Sequence, residues 1–230
     1  MPARKTTKKR SGAASDVAPE RVQAILSRLD KKYPRVRCAL HHRNAWELLV
    51  ATILSAQCTD VRVNLVTPEL FRCFPTPAAM AAASLPELEA LVRTTGFFRN
   101  KAKNIRGAAQ RVLQEFHGKV PATMDALLTL PGVARKTANV VLGSWFGIAV
   151  GVVVDTHVLR ISRRLGLTKH TTPEKVERDL VRILPQEKWI DYSHQIIHLG
   201  REICIARKPR CVDCFLEELC HSKDKTWSSD

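Results

Sequence analysis

The chain has 230 residues, 45% of them hydrophobic and 26% charged, the proportions of an ordinary globular protein and not of a disordered or collagen-like one. Its longest apolar run, residues 148–154, has seven residues. That falls short of the ~18 of a spanning helix, and the basic N-terminus has no apolar stretch behind it, so neither a membrane span nor a secretory signal is predicted and the chain is expected to stay inside the cell. Lys and Arg number 37 against 22 Asp and Glu, a formal charge of +15. Residues 1–15 carry five bases and no acid, so +10 belongs to the rest and points to a polyanionic partner, foremost nucleic acid.

Residues 1–18 are polar, basic and aperiodic, and predict a disordered arm that touches DNA phosphates or aids solubility. From Pro19 onward, Val22, Ile25, Leu26 and Leu29 recur at helical spacing. The same periodicity predicts helices over residues 44–55 and 100–116. Asn44 with Glu47, and Ser84 with Glu87, have the separation of a capping box or its Asn analogue. Gly96, Gly118 and Gly166 fall where left-handed caps end helices, and Pro173 after Thr172 opens another. The β-branched run at 150–154 has no partner strand, and no 20–50-residue repeat is present. The fold class is therefore all-α, with about ten helices.

Met124, Leu127 and Leu128 form a short helical face that runs into Leu130-Pro131-Gly132-Val133-Ala134, after which Ala138, Val141, Leu142 and Trp145 resume helical spacing. This predicts helix, tight turn, helix, the second helix opening with unpaired N–H groups that suit a phosphate. Lys136 lies in its first turn, where the helix dipole disfavours the protonated amine, and neighbouring Arg135 acts the same way. A free amine is a nucleophile; a solvated lysine is the plain alternative. Asp155 ends the apolar run and precedes another helical pattern, so it reads as an N-cap, held rigidly enough to serve as an acid or base.

Seven cysteines are present. Cys38, Cys58 and Cys73 are scattered and read as small buried apolar side chains, whereas Cys204, Cys211, Cys214 and Cys220 form C-x6-C-x2-C-x5-C within 17 residues. Such clustered thiols favour a soft metal centre, an iron–sulfur cluster ahead of zinc, with His221 keeping zinc open. The spacer IARKPR places Arg207, Lys208 and Arg210 on a loop pinned at both ends, as preorganised cations for phosphate or as a solvated turn.

LLVATILSAQCTD, LPGVARKTA, VDTHV and the cysteine pattern, in that order, resemble the helix-hairpin-helix DNA glycosylases of the endonuclease III type over about residues 19–222. The resemblance implies a two-domain fold. A six-helix barrel domain spans residues 38–149, with the hairpin motif at about 123–147. A cluster domain joins the N-terminal helix, 19–37, to residues 150–222, with a [4Fe-4S] loop at 204–220 and a tail at 223–230. It also implies a bifunctional glycosylase and AP lyase of base excision repair, acting as a monomer on double-stranded DNA that holds oxidised pyrimidines or abasic sites. Its place is the nucleoid-associated cytoplasm in a bacterium, or the nucleus or mitochondrion in a eukaryote.

Residue by residue, Lys136 matches the Schiff-base lysine, Asp155 the essential aspartate, and Cys204, Cys211, Cys214 and Cys220 the cluster ligands. Gly132 and Ala134 match the hairpin positions whose N–H groups hold a phosphate. Gln57 matches the residue that fills the gap in the duplex, and Phe97 stands at the wedge position. Ala134, Phe97 and Cys58 depart from the usual residues, and the basic arm is long. An adenine-mispair glycosylase lacks the lysine, and a non-catalytic iron–sulfur DNA-binding protein or redox sensor needs neither Lys136 nor Asp155.

Overall fold

The computed structural model describes residues 17–227, and among them are eleven α-helices and no strand. Most of the predicted arm lies outside the described residues. Val17 is not part of an arm, because its side chain packs against a core.

Helix α1 (Pro19–Lys32) buries the stripe Val22, Ile25, Leu26 and Leu29 that its spacing predicts. Its packing partners lie far along the chain, not among the next helices in sequence. Arg21 donates to the carbonyls of Leu165 and Leu219, and Arg28 to that of Phe215, so α1 belongs with the C-terminal part of the chain.

A first apolar core runs from Leu40 to Leu142. It is enclosed by α2 (Ala45–Leu54), α3 (Asp60–Cys73), α4 (Pro77–Ala82), α5 (Leu85–Val92), α6 (Phe98–Phe116), α7 (Met124–Leu128) and α8 (Arg135–Ser144). Helix α2 has buried residues at nearly every position and lies inside the others, as a helix apolar all round must. Ser84 and Glu87 close the expected capping box of α5. At α2 the Asn44 side chain caps the Glu47 N–H at 2.9 Å, but the Glu47 carboxylate reaches past Asn44 to the N–H of Arg43 at 2.7 Å and to its guanidinium.

A second core joins α1 to α9 (Thr156–Arg164), α10 (Pro173–Ile183) and α11 (Trp189–Glu202), closed below by Leu216. Gly166 ends α9 as expected, with its N–H and that of Leu167 returning to Arg163 and Ser162. Gly96 does not cap a helix in the left-handed region: its φ of 72° is paired with an extended ψ of 156°. Cys38 and Cys58 pack on the first core, but Cys73 is exposed, at the end of α3 beside Arg72 and Glu69.

The hairpin turn between α7 and α8 is fastened to α6. Arg111 donates to the Thr129 carbonyl at 2.6 Å, and Pro131 lies over Gly107. Gly132 has φ +77°, and a Cβ there would stand 2.8 Å from Cβ of Asn104. Ala134, where the family pattern has glycine, is extended (φ −101°, ψ 172°), a conformation open to any residue. Gly132→Ala is expected to destabilise the protein by about 1–3 kcal/mol and Ala134→Gly by under about 1 kcal/mol, measured by thermal unfolding.

Candidate active site

Between the two cores lies a cleft of ≈ 310 Å³ whose walls include Gln57, Asp60, Ala134, Lys136 and Asp155, with His194 and Arg201 from α11. The structure thus brings together residues from the end of α2, the hairpin and the start of α9.

Lys136 is exposed, at the second position of α8, whose N-cap, Ala134, offers no side-chain cap. Its first-turn N–H groups therefore have no side-chain acceptor at the N-cap. Arg135 does not act on Lys136 as an unpaired neighbouring cation. Its guanidinium makes a two-pronged contact with the Glu177 carboxylate of α10, both N–O distances 3.2 Å, and Asn139 donates to the same carboxylate at 3.2 Å.

Asp155 caps α9. Its Oδ1 accepts from the Val158 N–H at 2.8 Å, and its other oxygen has no partner among the described residues. The segment leading to it is held from α11: Ser193 accepts from the Val153 N–H at 3.1 Å while donating to the Trp189 carbonyl. Gly151 in this segment passes over Glu177, where a Cβ would fall 2.1 Å from Oε1. Glu177 therefore touches both the helix that carries Lys136 and the segment that carries Asp155.

Gln57 and Phe97 are both exposed, Phe97 at 67%, and both adopt left-handed backbone, φ 52° and 48°. Only two other described non-glycine residues do so, His117 at a helix end and Lys208 in the cysteine loop. Such conformations cost about 1 kcal/mol or more each and concentrate where function demands a shape. Neither composition nor spacing signals them.

Sequence reasoning missed the α11 side of the cleft. Arg201 bridges to Asp60 of α3, and Ser144 of α8 meets His194 at 3.3 Å, so both pairs cross between the cores. Burial holds the pKa of His194 below that of a free histidine. The same holds for His157, where burial acts first, Arg160 and Arg201 add to it, and Asp155 and Asp60 oppose it.

The four clustered cysteines line one cavity of ≈ 30 Å³ together with Arg164, Asp224 and Lys225. His221 is not among its walls and lies beside Gly166. Burial raises the Cys214 thiol to about 11, and burial likewise raises Cys220. Arg164 donates to Cys204 Sγ at 3.3 Å and the Thr226 N–H to Cys211 Sγ at 3.5 Å. The predicted tail is part of this structure up to Trp227: Asp224 pairs with Arg164 and Lys225 with Glu217. Residues 228–230 lie outside the described part. In the loop itself Arg207 and Lys208 are exposed, whereas Arg210 is held by Asp213 at 2.7 Å. Among the described residues no helix is long and apolar enough to cross a membrane.

Residues 50–186 match the family model of the HhH-GPD superfamily base excision DNA repair proteins. The chain is 56% identical to endonuclease III of Synechocystis sp. over 203 residues, covering 88% of this chain and 93% of the relative. Endonuclease III of Escherichia coli K12 is 41% identical over 87% of this chain and 95% of its own length. A solved structure of a trapped endonuclease III–DNA covalent intermediate superposes with a TM-score of 0.84 at 42% identity, covering 89% of this chain and 96% of that one.

In the fold both His194 and His157 have pKa values below the ordinary 6.5, so below that pH the unfolded chain binds more protons than the folded one. Stability is therefore expected to fall on acidification from about pH 7 to about pH 5, and His194→Gln to make that fall shallower, followed by urea denaturation at each pH.

Proposed function

The chain belongs to the HhH-GPD superfamily of base excision DNA repair proteins, and we propose that it is a bifunctional DNA glycosylase and AP lyase of the endonuclease III type, with Lys136 as nucleophile. The observation that carries this is the single cleft that holds Lys136 and Asp155 on opposite cores, closed by residues of α11. The named relatives, and a neighbour captured as a covalent complex with DNA, support the same reading.

The substrate class is duplex DNA holding an oxidised pyrimidine or an abasic site. A base inside a stack exposes no face of its sugar carbon, so the nucleotide is turned out into the cleft. The Lys136 amine, having lost its proton, attacks C1′. The N–C bond forms as the bond from C1′ to the base breaks, and the base leaves as an anion that gathers a proton. Opening of the sugar ring gives the Schiff base. Loss of a proton from C2′ then expels the 3′ phosphate, and water frees the lysine. Asp155, with one oxygen fixed by its helix, keeps the other for the amine proton or for the positive charge that grows on the sugar.

Gln57 and Phe97 are read as the residues that enter the duplex, and the N–H groups of Gly132 and Ala134 as the hold on a backbone phosphate. Arg207 and Lys208 are free to meet further phosphates, while Arg210, already paired, stiffens their loop. The two cores are read as the two domains, residues 38–149 and residues 19–37 with 150–222.

Cys204, Cys211, Cys214 and Cys220 are read as ligands of a [4Fe-4S] cluster. The supporting observation is that all four thiols line one cavity. When bound, the cluster supplies a rigid anchor for the 204–220 loop; the bond-breaking steps are left to the protein's own side chains.

Borohydride is expected to trap the protein covalently on duplexes with an abasic site or an oxidised pyrimidine. Lys136→Gln abolishes trapping, and Asp155→Asn lowers single-turnover excision by about 10²–10⁴-fold. Persistent trapping of the lysine variant would reassign the nucleophile. Purified protein is expected to be brown, absorbing near about 400 nm, with the band lost in Cys211→Ser; a colourless protein containing zinc overturns the cluster.

A further inference from the structure

Lys101 is 4% exposed, inside the first core, and takes no part in the chemistry above. Lysine is rarely buried without a charged partner, because an ammonium ion loses its hydration there, and an apolar residue at this position of α6 stabilises the core at no such cost. Lys101 has no carboxylate partner. Its Nζ donates to the Thr95 carbonyl at 2.6 Å, and its own N–H donates to the Phe97 carbonyl at 3.0 Å. One residue thereby grips the chain on both sides of Gly96-Phe97, the turn with the left-handed aromatic at its tip. Thr95 is itself buried, with its hydroxyl on the Val92 carbonyl at 2.8 Å.

Cys58, next to Gln57, packs on the same core. Burial lowers the Lys101 pKa, and Cys58 opposes that shift.

We propose that Lys101 is a positioning residue: its buried side chain fixes the wedge turn at Phe97, so that the aromatic enters the duplex in a set position. This rests on the reading of Phe97 given above. Its role is in separating the strands around the target nucleotide; Lys136 and Asp155 act after that separation.

The test uses the full chain with its cluster and duplexes that carry one oxidised pyrimidine opposite 2-aminopurine, whose fluorescence rises when it is unstacked. Lys101→Met and Lys101→Gln are made, alone and with Phe97→Ala, and folding is checked by circular dichroism. Either lysine variant is expected to lose about tenfold or more in single-turnover excision and most of the fluorescence rise. Trapping on single-stranded abasic DNA, where there is nothing to part, is expected to stay within about twofold of the parent. The double variants should be no slower than Phe97→Ala alone, the signature of residues acting as one unit. Parent-like fluorescence and excision, additive losses with Phe97→Ala, or failure of both lysine variants to fold would each overturn the proposal. Failure of the parent protein to excise or be trapped would instead overturn the glycosylase reading.

Discussion

Glu177 is the point on which the site geometry depends. Its carboxylate binds Arg135 and Asn139 of α8 in one core, sits in α10 of the other, and lies under the connector at Gly151. A single exposed ion pair adds little to stability. Here the contact is two-pronged, reinforced by an amide and shielded on the carboxylate side only, so its effect is geometric: it sets the start of α8 against the segment that ends at Asp155. The Arg201–Asp60 and Ser144–His194 pairs repeat the device on the other side of the cleft. Two separately packed cores would otherwise be free to shift, and a displacement of 1 Å between nucleophile and acid costs about 10²-fold in rate.

Strain is distributed in the same logic. Three of the four left-handed non-glycine residues, Gln57, Phe97 and Lys208, stand at positions read as meeting DNA. Each lies next to buried residues: Gln57 shortly after the almost fully buried α2, Phe97 in the turn held by Lys101, and Lys208 before the buried Pro209. The stable cores carry the cost of shapes that the exposed residues alone do not hold.

The C-terminal loops show a related division of labour. Hydrogen bonds from Arg164 and Thr226 reach two of the four sulfurs, while Arg21 and Arg28 tie the loops to α1. The first helix of the chain thus supports the last ligand loop, although nearly two hundred residues separate them in sequence. The +15 charge of the chain is only partly available to a polyanion, since several arginines, among them Arg21, Arg135, Arg160 and Arg164, serve as internal donors.

The sequence by itself determined the all-helical class, the stripe of α1, the box at Ser84, the hairpin turn at Gly132, the cap at Asp155 and the clustering of four thiols. Each is a local property: periodicity, a residue type at a fixed offset, or close spacing along the chain. Only the tertiary structure decided that Arg21 and Arg28 of α1 bind the carbonyls of Leu219 and Phe215, that Glu177 captures Arg135, that α11 supplies His194 and Arg201 to the cleft, and that Lys101 is buried. These are contacts between residues tens to hundreds of positions apart, chosen by which apolar faces pack and which buried polar groups find partners. No pattern in one segment encodes them, because the free energy that selects them exists only once the segments have met.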